Sequence, residues 1–481
     1  GPVMIVLYII LALIVIFLAA VLIRTAAFRP QSEEGESFED VSFDRDAAVS
    51  DLAALVKCRT VSDAGTANED DAEFDRLTGM LPELYPDVAE KCTLTRLPGR
   101  ALLYKWPGRS PGEPAVLMAH YDVVPVEEEN WLKPPFGAVI EDGVMWGRGT
   151  LDTKVTFNGI LFAANSLIGS GFVPEHDIYL AFSGGEEVNG PGAVNVVEWV
   201  SQEGITPAFV LDEGGAVVDG VFPGVNDPCA LIGIAEKGLM NLKYTVKSDG
   251  GHASAPLPHT PVGRLAAACA KVENHPFKCH YTAPVRQMFD VLGRRSTFAY
   301  RMIFANLWCF GGILDGVCRK SGGELNALIR TTAAFTQMDG SKAPNVIPPE
   351  ASMVSNIRLN PEDSVASAKQ YIKNTIGDEG VALDVLVCSE PSPISRTDCE
   401  GWKTVVSAVK GTWRGALVSP YLMVQCSDSR HYRDLSDRVF RFSAMDLTAE
   451  ERHTIHGNNE RIRLDTACRA VEFFTRVMKR C

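Results

Sequence analysis

His120 and Asp122 close an apolar run, Ala115 to Ala119. Alternate residues of an extended chain point the same way, so this imidazole and this carboxylate share one face. A second carboxylate, Asp152, follows a glycine-framed turn, Gly147-Arg148-Gly149. An imidazole with two carboxylates can hold and polarise a divalent metal ion. Two more apolar runs end in the same residue types. Ile178–Phe182 leads into Ser183-Gly184-Gly185-Glu186-Glu187, and Ala208–Leu211 into Asp212-Glu213-Gly214-Gly215. Adjacent Glu186 and Glu187 cannot easily face the same way from extended backbone, so one ligand and one base is a natural division. Asp212 and Glu213 both sit at a strand end, and the residues alone leave the choice between them open.

The elements that must position these groups follow from the pattern. Helical stretches around Asn158–Ile168 and Ala193–Ser201 separate the three apolar runs. Strands alternating with helices imply an α/β domain with a mostly parallel sheet flanked by helices. In such a sheet a site gathers at the carboxyl ends of the strands. From residue 238 the character changes. Leu239–Val246 alternates like a half-exposed strand, Pro261–Val272 and Ser364–Ile376 read as helices, and Val381–Val387 as a strand. This predicts an inserted α+β sandwich over 238–390, of a lid or dimerisation type, with the first domain built from 47–237 and 391–481. Tyr281–Leu328, rich in aromatics and arginine, fits no simple period and is expected to be a substrate-side or interface insertion.

Val3–Ile23 holds no charged residue. As a helix it would be about 31 Å long, enough to cross the hydrocarbon core of a bilayer. It lacks the basic start and short apolar region of a signal peptide, which predicts a retained single-pass membrane anchor. Arg24 and Arg29 follow the span, which favours a cytoplasmic body. Residues 24–46 are acidic and read as a tether. The net charge of −14 over 481 residues leaves no basic stripe for phosphates and excludes a nucleic-acid partner. The twelve cysteines show no metal-finger spacing and read as small buried hydrophobes.

The motifs HYDVVPV, PPFGAVIEDGVMWGRGTLDTK, SGGEEVNG, LDEGG, EKGLMNL, GGHASAP, NVIPPEA, SDSRHY and IHGNNE span Ala115 to Glu460. Together they resemble the dinuclear-zinc peptidase and amidohydrolase family that includes aminoacylase, succinyl-diaminopimelate desuccinylase and carboxypeptidase S. The branch most similar is that of carboxypeptidase S and the secreted N-fatty-acyl-amino-acid hydrolases. The resemblance implies two Zn²⁺ ions per site, with Co²⁺ as a substitute. It implies His120 and Asp212 as ligands of one ion, Glu187 and His456 as ligands of the other, and Asp152 as the bridge. Asp122 would orient His120, and Glu186 would be the general base. His252 would support the oxyanion, in many relatives across a dimer, and Asn345 and Arg358 would bind substrate. Asn345 and Arg358 stand beside Val346-Ile347-Pro348 and at the end of Ala351–Leu359. The arginine fork suits a terminal carboxylate.

The chemistry agrees. An unactivated amide needs a strong nucleophile at neutral pH, and a hydroxide shared by two zinc ions supplies one. The expected reaction is hydrolysis of an amide next to a free carboxylate, carboxypeptidase- or dipeptidase-like, with N-acyl-amino-acid deacylation as the alternative. A silent membrane-tethered binding module would have lost a ligand or the base, and every candidate position here is filled. The resemblance points to a vacuolar or extracellular body, against the arginines that follow the span, so the side of the membrane stays open.

Overall fold

Both faces of a strand such as Ala115–His120 are apolar, so it must be enclosed on both sides. In the computed structural model, which describes residues 2–32, 35–65 and 69–481, all six of its residues are buried. Glu33 and Glu34 of the expected tether lie outside the described residues.

The chain forms two units: Pro30–Ile234, Ile394–Tyr421 and Ser427–Cys481 make one, and Gly1–Arg29, Ala235–Pro393 and Leu422–Cys426 the other. The first is built on an eight-stranded sheet. Its order is Thr93–Leu97, Ala101–Trp106, Ile178–Ser183, Ala115–His120, Phe209–Val218, Val439–Leu447, Cys229–Glu236 and Leu417–Met423. The four strands from Ile178–Ser183 to Val439–Leu447 run parallel. The parallel part is confined to this centre. Thr93–Leu97 and Ala101–Trp106 are joined by a tight turn with Gly99 and Arg100 at positive φ, and so short a connection can only return the chain antiparallel. One face packs Val116, Met118, Tyr179 and Val210 against Val196 and Val200 of the helix Gly192–Gln202. The helix Lys154–Gly169 is buried nearly all round, between the sheet and the last helix, Leu464–Met478.

The second unit carries a four-stranded antiparallel sheet, ordered Thr332–Asp339, Glu350–Leu359, Gly238–Lys247 and Ala382–Ser389. The helices Pro261–Asn274 and Val365–Ile376 cover one face through Leu265, Ala268, Ile372 and Ile376. The stretch without a simple period is helical: Ala283–Gly293, Phe298–Ala305, Leu307–Ser321 and Gly323–Ile329. The N-terminal apolar helix runs from Pro2 to Ala27, longer than its uncharged core, and belongs to this unit.

Candidate metal centre

Asp152 lies between two imidazoles and offers one oxygen to each. Its Oδ1 is 3.0 Å from His120 Nε2, and its Oδ2 is 2.8 Å from His456 Nε2. His120 ends its strand inside the sheet, 2% exposed. Its Nδ1 is 3.0 Å from the Asp122 carbonyl and 3.3 Å from Asp122 Oδ1. That arrangement assigns the proton to Nδ1 and turns Nε2 toward the cluster.

Asp122 does more than orient a ring. Its Oδ1 accepts the Glu186 N–H and its Oδ2 the Glu187 N–H, each at 3.1 Å. One buried carboxylate thus clamps two consecutive amides at the start of the short turn Glu186–Val188. The two glutamate side chains then diverge. Glu187 Oε1 lies 3.1 Å from His456 Nε2, and Glu186 Oε2 lies 3.8 Å from His120 Nε2.

Two loops complete the arrangement. The loop before Asp152 is held by Glu460, which accepts the Gly149 N–H at 2.6 Å and the Leu151 N–H at 3.2 Å and pairs with Arg148. Gly149 has φ +87°, and a Cβ there would meet Val123 at 2.6 Å, so only glycine suits this turn. The Asp152–Thr153 peptide is cis. His456 sits at φ +59°, a left-handed backbone that costs a residue with a side chain on the order of 1 kcal/mol or more and that gathers at functional sites.

Asp212, expected as a ligand, has both carboxylate oxygens on backbone amides. Its Oδ1 accepts the Glu213 N–H at 2.8 Å and its Oδ2 the Ser429 N–H at 2.9 Å, which ties the strand to the turn Asp428–Asp434. The neighbouring Glu213 turns to the cluster instead, with Oε1 3.3 Å from His120 Nε2. The strand does not end at Leu211 but continues to Val218, with an irregularity after Asp212 where Arg441 faces Asp212 and Phe442 faces Gly215, and there the two acids part. Asp428, also absent from the expected set, is buried and accepts the Ser183 hydroxyl at 2.7 Å. The apolar strand end offered Asp212 and Glu213 alike, whereas Asp428 and Glu460 gave no signal beyond their motifs.

The charges explain what such a cluster lacks. Burial, with Asp152 and Asp212 nearby, pushes Glu213 up to about 8 despite His120. Glu186 is raised well above the usual carboxylate range, first by burial and then by Glu213, Asp428 and Glu187. Glu187 is raised by burial and by Asp152. His456 is raised to about 10 by its bonds to Asp152 and Glu187. Burial works against the charged form of His120, yet Glu213, Asp122 and Asp152 lift it well above the usual imidazole value. Buried carboxylates that repel one another and grip imidazolium are a set whose missing partner is positive charge. His120, Asp152 and Glu187, and likewise His120, Glu186 and Glu213, each bring three donor atoms within 4.8 Å of one another. The donor set fits divalent metal ions bound by nitrogen and oxygen.

The other expected residues lie in the second unit. His252 is exposed on the short strand Gly251–His252, which pairs with Val346–Ile347. Its Nδ1 accepts the Ser254 N–H at 3.1 Å. The Asn345 carbonyl accepts the Ala253 N–H at 3.0 Å, so Asn345 and His252 stand at one two-stranded ribbon. Arg358, on Glu350–Leu359, donates through Nε to Asn356 at 3.2 Å, and its Nη1 is 3.4 Å from Cys426 Sγ.

Several known proteins are similar to this chain. The profile of Peptidase family M20/M25/M40 matches residues 116–480. An N-fatty-acyl-amino acid synthase/hydrolase PM20D1 of Xenopus tropicalis is 34% identical over 477 residues, covering 97% of this chain and 93% of its own. A probable carboxypeptidase S-like 2 of Dictyostelium discoideum is 34% identical over 89% of this chain and 84% of its own. Among solved structures, the M20 family metallo-carboxypeptidase Sso-CP2 of Sulfolobus solfataricus superposes with a TM-score of 0.68 at 17% identity. It covers 90% of this chain and 98% of its own. Human carnosine dipeptidase 1 follows with a TM-score of 0.62 at 14% identity, over 91% of this chain and 96% of its own.

Proposed function

The chain belongs to peptidase family M20/M25/M40, and on that premise we propose that it is a zinc-dependent hydrolase of amide bonds next to a free carboxylate. The observation that carries the reading is Asp152 between His120 and His456, one oxygen toward each. His120, Glu213 and Asp152 would hold one Zn²⁺, and His456, Glu187 and Asp152 the other. Bound zinc would supply Lewis acidity, polarising the scissile carbonyl and making water acidic enough to attack at neutral pH.

The chain's own residues do the rest. Burial first, and then the neighbouring carboxylates, raise the proton affinity of Glu186, which suits an ionised group that takes a proton and gives it back. It accepts one proton from the attacking water at Oε2 as the C–O bond forms. It returns that proton to the leaving nitrogen as the C–N bond breaks, so the products are an amine and a carboxylic acid. Asp122 keeps Glu186 and Glu187 in divergent directions through their amides. We assign His252 to the carbonyl oxygen as charge develops there, and Asn345 and Arg358 to the substrate carboxylate end.

Within this class, N-acyl amino acids are favoured over peptides as substrates. The support is the fatty-acyl-amino acid relative at 34% identity over 97% of the chain, together with an N-terminal helix apolar enough to place the enzyme at a membrane. We read that helix as a retained anchor. Val21 and Thr25 on it are fully covered by the second unit, an arrangement with no purpose in a cleaved signal segment. The test is a panel of N-acyl amino acids of rising chain length beside Gly-X dipeptides, run on zinc-loaded protein with Glu186→Gln as control. Turnover of neither class by the zinc-loaded enzyme would end the reading.

A further inference from the structure

The N-terminal helix is not a free rod tied to a body by a string. Asn306, fully buried, donates from Nδ2 to the Val21 carbonyl at 3.2 Å and to Thr25 Oγ1 at 3.1 Å. Arg24 Nε reaches the Ala305 carbonyl at 3.4 Å. Arg294 stacks on Phe28 at 4.4 Å and donates to the Arg29 carbonyl at 3.1 Å. Further along, Trp308 meets Phe17 edge to face, centroids 5.7 Å apart. All of these partners belong to the second unit.

The contact with Phe17 fixes a depth. Phe17 precedes Arg24 by seven residues, about 10 Å along the axis at 1.5 Å per residue. A bilayer around this helix has a hydrocarbon half-thickness of about 15 Å. The ring of Trp308 therefore stands inside the slab that the lipid tails must fill. The surface around it has the matching character. Trp308, Ile313 and Val317 are 57%, 60% and 58% exposed, spread around the part of Leu307–Ser321 that does not carry the buried Gly311, Leu314 and Cys318. Phe298, on the preceding helix, is 55% exposed. Two consecutive helices of a soluble surface rarely expose this many large apolar side chains. Arg295, Arg301, Arg319 and Lys320 lie on or just before these two helices in a chain whose net charge is −14. Exposed apolar side chains set among basic residues are the composition of a segment lying in an anionic lipid interface.

We propose that Phe298–Ala305 and Leu307–Ser321 are embedded side-on in the leaflet that the N-terminal helix enters, so that the second unit is held against the lipid by two elements. This rests on the reading of the N-terminal helix as an anchor, and the test separates the two. Full-length protein is reconstituted in phosphatidylcholine vesicles containing some phosphatidylserine, with acyl chains brominated midway or left unbrominated. The Trp308 signal is the difference between the native protein and Trp308→Phe, a change mild enough to keep the fold. Burial to a depth of about 5–10 Å puts the indole against the bromines, so this difference signal is blue-shifted and falls about twofold in brominated vesicles. Protein released by alkaline carbonate overturns the anchor reading and the proposal with it. Protein that resists carbonate but shows an unquenched Trp308 overturns the proposal alone. Unquenched Trp308 together with dimers that Ile313→Glu dissolves assigns the face to a second copy of the chain.

Discussion

Asp122 and Glu213 carry the main lessons at the scale of single residues. Glu186→Gln keeps the shape and the clamp on its amide but cannot accept a proton. We expect kcat to fall by about 10²- to 10⁴-fold, the range for loss of a general base, with metal content measured by atomic emission unchanged. Glu213 and Asp212 are separable in the same assay. Glu213→Ala should weaken zinc at one of the two positions by at least about 100-fold, more than the usual effect of an outer partner. Asp212→Asn should keep both ions, because its carboxylate serves the amides of Glu213 and Ser429. The reverse outcome would restore Asp212 as the ligand. That His120, Asp152, Glu186, Glu187 and His456 come together was legible because each stands in a motif whose residue type is itself the message. Glu213 was not, because the apolar run stops at Leu211 while the strand goes on to Val218. Which of two neighbouring acids faces a site is decided here by the irregularity after Asp212, and that shows only once strand pairing is known.

Among the elements, the sheet centre was readable from its apolar runs, and the insertion was not. Leu307–Ser321 buries Leu314 and Cys318 yet exposes Trp308 and Ile313, so its apolar residues surround the helix instead of marking one face. The helix Arg45–Val56 offers a pH test. Asp51 is raised from 3.8 to about 6, first by burial and then by Asp44, which caps this helix. An acid whose value is higher in the folded state binds its proton more tightly there. Its favourable contribution is present below pH 3.8 and is lost as pH rises through about 6. Asp51→Asn should therefore raise Tm at pH 7.5 and leave it unchanged near pH 4, read by calorimetry. An equal rise at both values would place the effect elsewhere. Asn306→Ala leaves the Thr25 hydroxyl without this partner in a buried contact, and should cost about 1–3 kcal/mol of stability in detergent denaturation.

Across the whole molecule, the family was legible because its motifs run from Ala115 to Glu460, while the way the N-terminal helix is built into the second unit left no trace in any motif. Metal should couple to stability. Ions that bind only the folded chain add about 2.7 kcal/mol when free metal exceeds Kd a hundredfold. A chelator should therefore lower Tm as well as abolish activity, and Zn²⁺ should restore both. The repulsion among Glu186, Glu187 and Glu213 makes the metal-free form the weaker one above the pH at which these acids ionise. The most direct measurement is an anomalous difference map at the zinc edge from crystals of the zinc-loaded protein. Two peaks flanking Asp152, one against His120 and Glu213 and one against His456 and Glu187, are the predicted result. An absence of peaks there, or ions bound away from Asp152, would contradict the assignment.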